Sequence, residues 1–444
     1  MSIPVIIVQP PLVQLNGPYP AGAYLAAFFR GLGGEYAPVA ADFSPSAASC
    51  SSAAQGAFHG ACLGRAELLA GQPVDPARVR WIDASNGFYR YLFSPSGLSR
   101  LFSLSRQAAL SRADRAEGEG DGETAFQLRR FVSTAARWVS WINGIRSILE
   151  GGDRELCHAL VQSPYAPRGA RIDAFLSGLE AEPTADDARL IATLALEDLA
   201  DYIATAFDPE FSLVRYAESI ASSERSFARV EAALSGPLAT AFIEPYADAL
   251  FAGLASAGSA SAGDPFLLCL SVPFPGCLVG ALILARAARR RFGQRAVIAL
   301  GGGYVNTELR GTVSPRLGEY VDILSFDRGF AAYAALFARA PSVPYAPSAP
   351  GAPASSGAAP TSDGAAQLPM RLFTPPGYAR YEARVTELIV PDYSDIDFAS
   401  YPRLADTPNP MHRLWSDGAW LKAFLAHGCY WHRCSFCDVS LDYI

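Results

Sequence analysis

Residues 3–8, Ile-Pro-Val-Ile-Ile-Val, form an apolar run rich in β-branched side chains that stops at Pro10 and Pro11. A strand of this composition has no polar face to offer water, as expected where both faces are covered. The pattern that follows fits that demand. Residues 23–30 carry apolar side chains at helical spacing and are terminated by Gly31, Gly33 and Gly34, and residues 36–41 offer a second strand. Much later, residues 266–272 read as a strand and 278–292 as a helix stopped at Gly293. Residues 296–300 then read as a strand ending in Gly301-Gly302-Gly303, and 321–326 as another. Strands alternating with helices predict an α/β fold, a doubly wound and mostly parallel sheet.

The sheet is split in sequence. Residues 1–46 supply its first part and 263–339 its second, with a helical insertion expected over 47–262. Within that insertion Thr184 is placed to cap a helix. Its first turn holds Asp186 and Asp187, and its apolar face runs through Ile191, Ala195, Leu199, Tyr202 and Ile203. Residues 114–124, rich in Glu, Gly and Asp, read as an exposed loop, and His59 and His158 as structural or solvent-facing histidines. Residues 340–368 are an Ala/Pro/Ser/Gly linker that lacks the apolar surface to offset the entropy of ordering. Residues 369–444 form a connector and the start of a further domain. The acids of the Pro391-Asp-Tyr-Ser-Asp-Ile-Asp-Phe stretch read as caps and solvated turn residues.

Across 444 residues half are hydrophobic, enough for sizeable cores, and the net charge of −7 argues against a general nucleic-acid surface. The basic run at 286–295 reads as the polar end of a helix. Residues 265–285 lack charge, but Pro273, Pro275 and Gly276 break them into strand, turn and helix, so no membrane span is expected. The amino terminus lacks the cationic region of a signal peptide, which makes a reducing cytoplasm the expected compartment. Of the eight cysteines, Cys50, Cys62, Cys157, Cys269 and Cys277 are scattered and read as small buried hydrophobes.

Cys429, Cys434 and Cys437 are different, because three thiolates within nine residues can fold around one soft metal centre and leave a coordination position open. Residues 420–426, just before them, are apolar enough to be a strand delivering this loop. Two other chemistries use the same side chains: zinc held with His427 or His432, or a redox dithiol at Cys434 and Cys437.

The stretch Gly-Cys429-Tyr-Trp-His-Arg-Cys434-Ser-Phe436-Cys437 resembles the cluster loop of the radical S-adenosylmethionine (radical SAM) superfamily, whose signature is Cys-x3-Cys-x2-Cys with an aromatic residue before the last cysteine. Four residues rather than three separate Cys429 from Cys434, a form similar to that of members carrying an amino-terminal cobalamin-binding domain. The resemblance implies a flavodoxin-like corrin domain, a linker and then a radical barrel. It implies a 4Fe-4S cluster on Cys429, Cys434 and Cys437, with Phe436 at the S-adenosylmethionine. Ser271, Pro273, Gly301, Gly302 and Gly303 would contact cobalamin, glycine allowing backbone to lie close against a large flat ligand. The Asp-x-His-x-x-Gly element is absent, so no histidine from that loop would reach cobalt. Methyl transfer through a 5'-deoxyadenosyl radical is the implied reaction, on a small-molecule or peptide substrate, with a flavodoxin or ferredoxin as reductant. Only seven residues follow Cys437, whereas a barrel needs on the order of 200; the chain is expected to be a truncated form, inactive unless a separate chain completes the barrel. The alternative is a non-catalytic cobalamin- or zinc-binding module.

Overall fold

The computed structural model describes residues 2–43, 64–223, 227–258, 263–311, 313–338 and 368–405, with 421, 423 and 431. The chain begins with strand β1 (Ile3–Gln9), wholly buried, and helix α1 (Ala21–Gly31). Strand β2 (Val74–Asp83) follows and leads directly into α2 (Ala84–Leu92), whose N-cap is Asp83.

A helical lobe comes next. Helices α3 (Pro95–Gly118) and α4 (Gly122–Leu149) are long, and α5 (Arg154–Gln162), α6 (Ala170–Ser177) and α7 (Ala188–Ala206) complete its larger part. A two-residue hairpin, β3 (Phe211–Ser212) with β4 (Arg215–Tyr216), precedes α8 (Glu218–Ser223), α9 (Phe227–Ala233) and α10 (Glu244–Ser256). The chain then returns to the sheet through β5 (Phe266–Ser271), α11 (Leu278–Phe292), β6 (Ala296–Gly301), α12 (Gly303–Thr307), β7 (Ile323–Ser325) and α13 (Phe330–Phe337). Strand β8 (Met370–Leu372) and helix α14 (Ala379–Leu388) follow, and a single 3₁₀ turn (Phe398–Ser400) comes after them.

Six strands pair in the order β2-β1-β5-β6-β7-β8, every pair parallel. Strand periodicity sorts their side chains into two cores. Ile3, Val5 and Ile7 of β1, with Leu267 and Cys269 of β5, join α1 and α13 on one face. Ile6 and Val8, with Phe266, Leu268 and Leu270, join α11 and the helical lobe on the other. This is an α/β fold with helices on both faces of a parallel sheet. Among the described residues no helix is long and apolar enough to cross a membrane.

Several local expectations hold. The backbone N–H of Thr184 donates to the Asp187 carboxylate at 2.9 Å just ahead of α7. The basic run closes α11 with Arg289, Arg290 and Arg291 in its last turn. Cys269 and Cys277 are buried, and burial pushes both thiols up to about 12.

Others are corrected. Residues 36–41 do not form the second strand: the N–H of Tyr36 donates to Gly31 O, its ring fills the space beside Gly31, and the segment is spent closing α1. The strand beside β1 is instead β2, inside the stretch expected to be helical. It is an edge strand in which Pro76 lies where the register with β1 shifts, an arrangement that an edge tolerates and a central strand does not. Residues 114–124 are not a long loop; α3 runs through Gly118, and Asp121 caps α4 by accepting from Thr124 N at 3.0 Å. Strand β8, in the expected connector, is the sixth strand of the same sheet.

Candidate functional site at the carboxyl edge of the sheet

From β1 the chain proceeds to one side of the sheet, to β2, and on its return to the other, to β5. The order therefore reverses between β1 and β5, and open parallel sheets bind their ligands in the crevice outside the carboxyl ends of the strands at such a reversal. The last residues of these two strands meet. Gln9, 1% exposed, donates from Nε2 to the Ser271 carbonyl at 2.9 Å, while its Oε1 is buried with no hydrogen-bond partner.

The loops beyond both strands are built tightly. Leu12 has a φ of 66°, rare for a non-glycine residue, and its carbonyl accepts a 3.7 Å contact from Cys277 Sγ. Val13 N donates to Ser85 Oγ at 3.0 Å, which fastens the β1 loop to the start of α2. Tyr19 meets Phe274 edge to face at 5.8 Å, and the Arg215 guanidinium lies 4.2 Å over the Phe274 ring. The helical lobe thus reaches the loops beyond β1 and β5 through Arg215 of its β3–β4 hairpin, which also bonds Val13 O.

Beside it, the turns after β5 and β6 nest. Val272 N donates to Gly301 O at 2.7 Å, and Tyr304 N to Val272 O at 3.1 Å. A Cβ on Gly302 would sit 2.6 Å from Val272 O, and one on Gly303 2.7 Å from Pro273 O; Gly302 also has a φ of +108°. The close approach these glycines permit is to the neighbouring turn, and the result is a stretch of edge surfaced by backbone rather than side chains. After β7, Asp327 has a φ of 59° and is held by Asn306, whose Oδ1 accepts from its N–H at 2.7 Å, and by Arg310 at 3.0 Å.

At the end of β2 lies a half-buried acid. Burial raises the Asp83 carboxyl to about 6, against the opposing pull of its hydrogen bonds from Tyr401, Asn86 and Ser85. Its partner Tyr401 belongs to a strap, residues 390–405, that runs along the β2 edge. Arg30 pairs with Asp392 and, at 2.6 Å, with Asp395 of the strap. Trp81 N donates to Asp395 at 2.9 Å and Arg30 donates to Val79 O at 3.2 Å, so the strap and α1 each satisfy a backbone group that an edge strand leaves open. Of the acids expected to be caps or solvated turn residues, Asp397 caps, accepting from Ala399 N at 3.1 Å, and Asp392 closes a turn, accepting from Ser394 N at 2.9 Å, while Asp392 and Asp395 are also ion-paired with Arg30. The strap then passes the end of β2, Arg403 N bonding Leu149 O at 2.6 Å and Ala405 N bonding Thr193 Oγ1 at 3.0 Å in the helical lobe.

The structure therefore brings Ser271, Pro273, Gly301, Gly302 and Gly303 together on two adjacent strand ends. Cys429, Cys434, Phe436 and Cys437 lie outside the described residues, as do His427, His432, Cys50, Cys62, His59 and the linker at 340–367. Among the described residues no group of three His, Cys, Asp or Glu side chains is arranged to hold a metal. Sequence reasoning missed Gln9 and Asp83 as site residues. The signal for Gln9 was a polar side chain closing an otherwise apolar buried strand, and for Asp83 the alternation of Val79 and Trp81 with charged neighbours. On this geometry the chain is an α/β protein with a six-stranded parallel sheet. Comparisons with protein-family models, curated proteins and solved structures find no match.

Proposed function

We propose that the chain is a cobalamin-binding radical SAM protein whose flavodoxin-like sheet receives the corrin at its carboxyl edge and whose Cys429, Cys434 and Cys437 hold a 4Fe-4S cluster. The observation that carries this reading is the convergence of Ser271, Pro273 and Gly301–Gly303 beside the reversal between β1 and β5. Two features suit a large, flat, amide-bearing ligand. One is the side-chain-free surface made by the nested turns. The other is the unpartnered Gln9 Oε1, an acceptor waiting for a donor such as a corrin amide.

Bound cobalamin would supply a methyl group, and the cluster an electron to S-adenosylmethionine. The chain's own residues bind and orient. Gln9 and the 271–273 turn set the floor of the site, and Asp327, locked by Asn306 and Arg310, fixes its β7 side. Three thiolates leave one iron position open for S-adenosylmethionine, with Phe436 beside it.

Anaerobic reconstitution with iron and sulfide, followed by cobalamin uptake, tests both halves. The visible absorbance of a cluster is expected, lost in Cys434→Ala while corrin uptake persists. Gln9→Leu is expected to weaken corrin uptake and spare the cluster. Stoichiometric zinc without cluster would replace the radical reading by a zinc module, and failure to take up any corrin would overturn the sheet's assignment.

A further inference from the structure

The helical lobe holds a second concavity that the proposed function does not use. It has a volume of about 300 Å³ and lies between α4 and the loop joining α5 to α6. Arg130, Thr134 and Arg137 line one wall, at a spacing that places them on a single face of α4. Pro164, Pro167 and Arg168 line the other.

The charges do not cancel. Arg130 is held by both oxygens of Asp173 on α6. Arg137 and Arg168 are exposed and make no ion pair among the described residues. Three guanidiniums against one carboxylate leave a local charge of +2 (3 − 1) within a chain whose net charge is −7. The Arg137 guanidinium lies over the ring of Tyr165, 5.8 Å from its centroid, and Tyr165 is 67% exposed. The loop is preorganised: Tyr165 N donates to Ser163 Oγ at 3.1 Å, two prolines restrict it, and Asp198 anchors the start of α6 by accepting from Arg171 N at 2.8 Å.

We infer that this cleft binds a phosphate monoester, its dianionic head between Arg137 and Arg168 and its organic group against Tyr165. Guanidinium is the side chain whose planar fork of donors matches phosphate oxygens, and two of them balance a dianion. Arg130, already neutralised by Asp173, shapes the wall.

Calorimetric titration of the full chain with phenyl phosphate at low ionic strength tests this. One-to-one binding is expected, weakened at least about tenfold by Arg137→Ala or Arg168→Ala, the scale for a hydrogen bond to a charged group. Tyr165→Ala is expected to weaken phenyl phosphate and leave inorganic phosphate unchanged. Arg106→Ala removes the same charge from α3, outside the cleft, and is expected to bind as the parent chain does; thermal melting checks that each variant is folded. No binding by the parent chain, unchanged affinity in the Arg137→Ala/Arg168→Ala double variant, or equal loss in Arg106→Ala would each overturn the site. Benzoate binding as tightly as phenyl phosphate would overturn the phosphate assignment.

Discussion

The phenol of Tyr401 donates a 2.7 Å hydrogen bond to Asp83, and the same carboxylate caps α2 through the N–H groups of Ser85 and Asn86. One half-buried acid thus ties the strap to the end of the edge strand and to the helix that leads into the lobe. Because burial raises Asp83 from 3.8 to about 6, its contribution to stability is fully present below pH 3.8 and is lost as pH rises through 6. Tyr401→Phe removes a donor that favours the charged form. It is expected to cost about 1–3 kcal/mol at pH 8, where Asp83 is ionised, and less at pH 5. Melting temperatures at the two pH values check this; an equal loss at both would separate Tyr401 from the Asp83 charge.

Glu382 on α14 gives a second pH effect. Burial raises its carboxyl to about 7, Oε2 accepts from Ala331 N at 2.6 Å, and Oε1 has no partner. The neighbouring Arg328 only partly offsets the burial. Stability from this group is present below about pH 4.5 and lost as pH rises through 7. Glu382→Gln is therefore expected to raise stability at pH 8, by up to about 3 kcal/mol, and to change little at pH 4.5. Urea unfolding at both pH values reads the difference, and no gain at pH 8 would contradict it.

Gly302→Ala meets two obstacles, the left-handed φ and the Val272 carbonyl 2.6 Å from the new Cβ. A cost of about 3 kcal/mol or more is expected, enough to lower the urea midpoint clearly. Gly311→Ala serves as the comparison, since nothing lies within 4 Å of its added Cβ. Equal midpoints for the two variants would refute the nested-turn geometry.

Arg30→Ala removes the partner of Asp392 and Asp395 and the donor to Val79 O. Two carboxylates would then crowd the strap without a cation. Faster hydrogen exchange is expected over residues 390–405 and at the Trp81 amide, with β5 and β6 unchanged. Uniform exchange across the sheet would indicate that the strap has no separate anchorage.

Much of the sheet was legible from local signals. β1, β5, β6 and the end of β7 are apolar runs stopped by Pro, Gly or Asp, and each lies where the sequence pattern placed it. β2 was not legible, because an edge strand is half exposed, carries charges and tolerates Pro76. β8 has three residues, too few to show any periodicity.

The candidate site divides in the same way. Turn composition placed Ser271, Pro273 and the three glycines at strand ends, and the resemblance to cobalamin-binding radical SAM proteins marked them as site residues. Only the tertiary structure decided that Gly302 and Gly303 are glycine on account of the neighbouring turn, that Gln9 meets Ser271, and that Asp392, Asp395 and Tyr401 belong to β2 and α1 rather than to water. The reason is physical. Apolar periodicity and turn chemistry are properties of a few consecutive residues, whereas hydrogen-bond satisfaction and charge pairing are settled by partners hundreds of residues away.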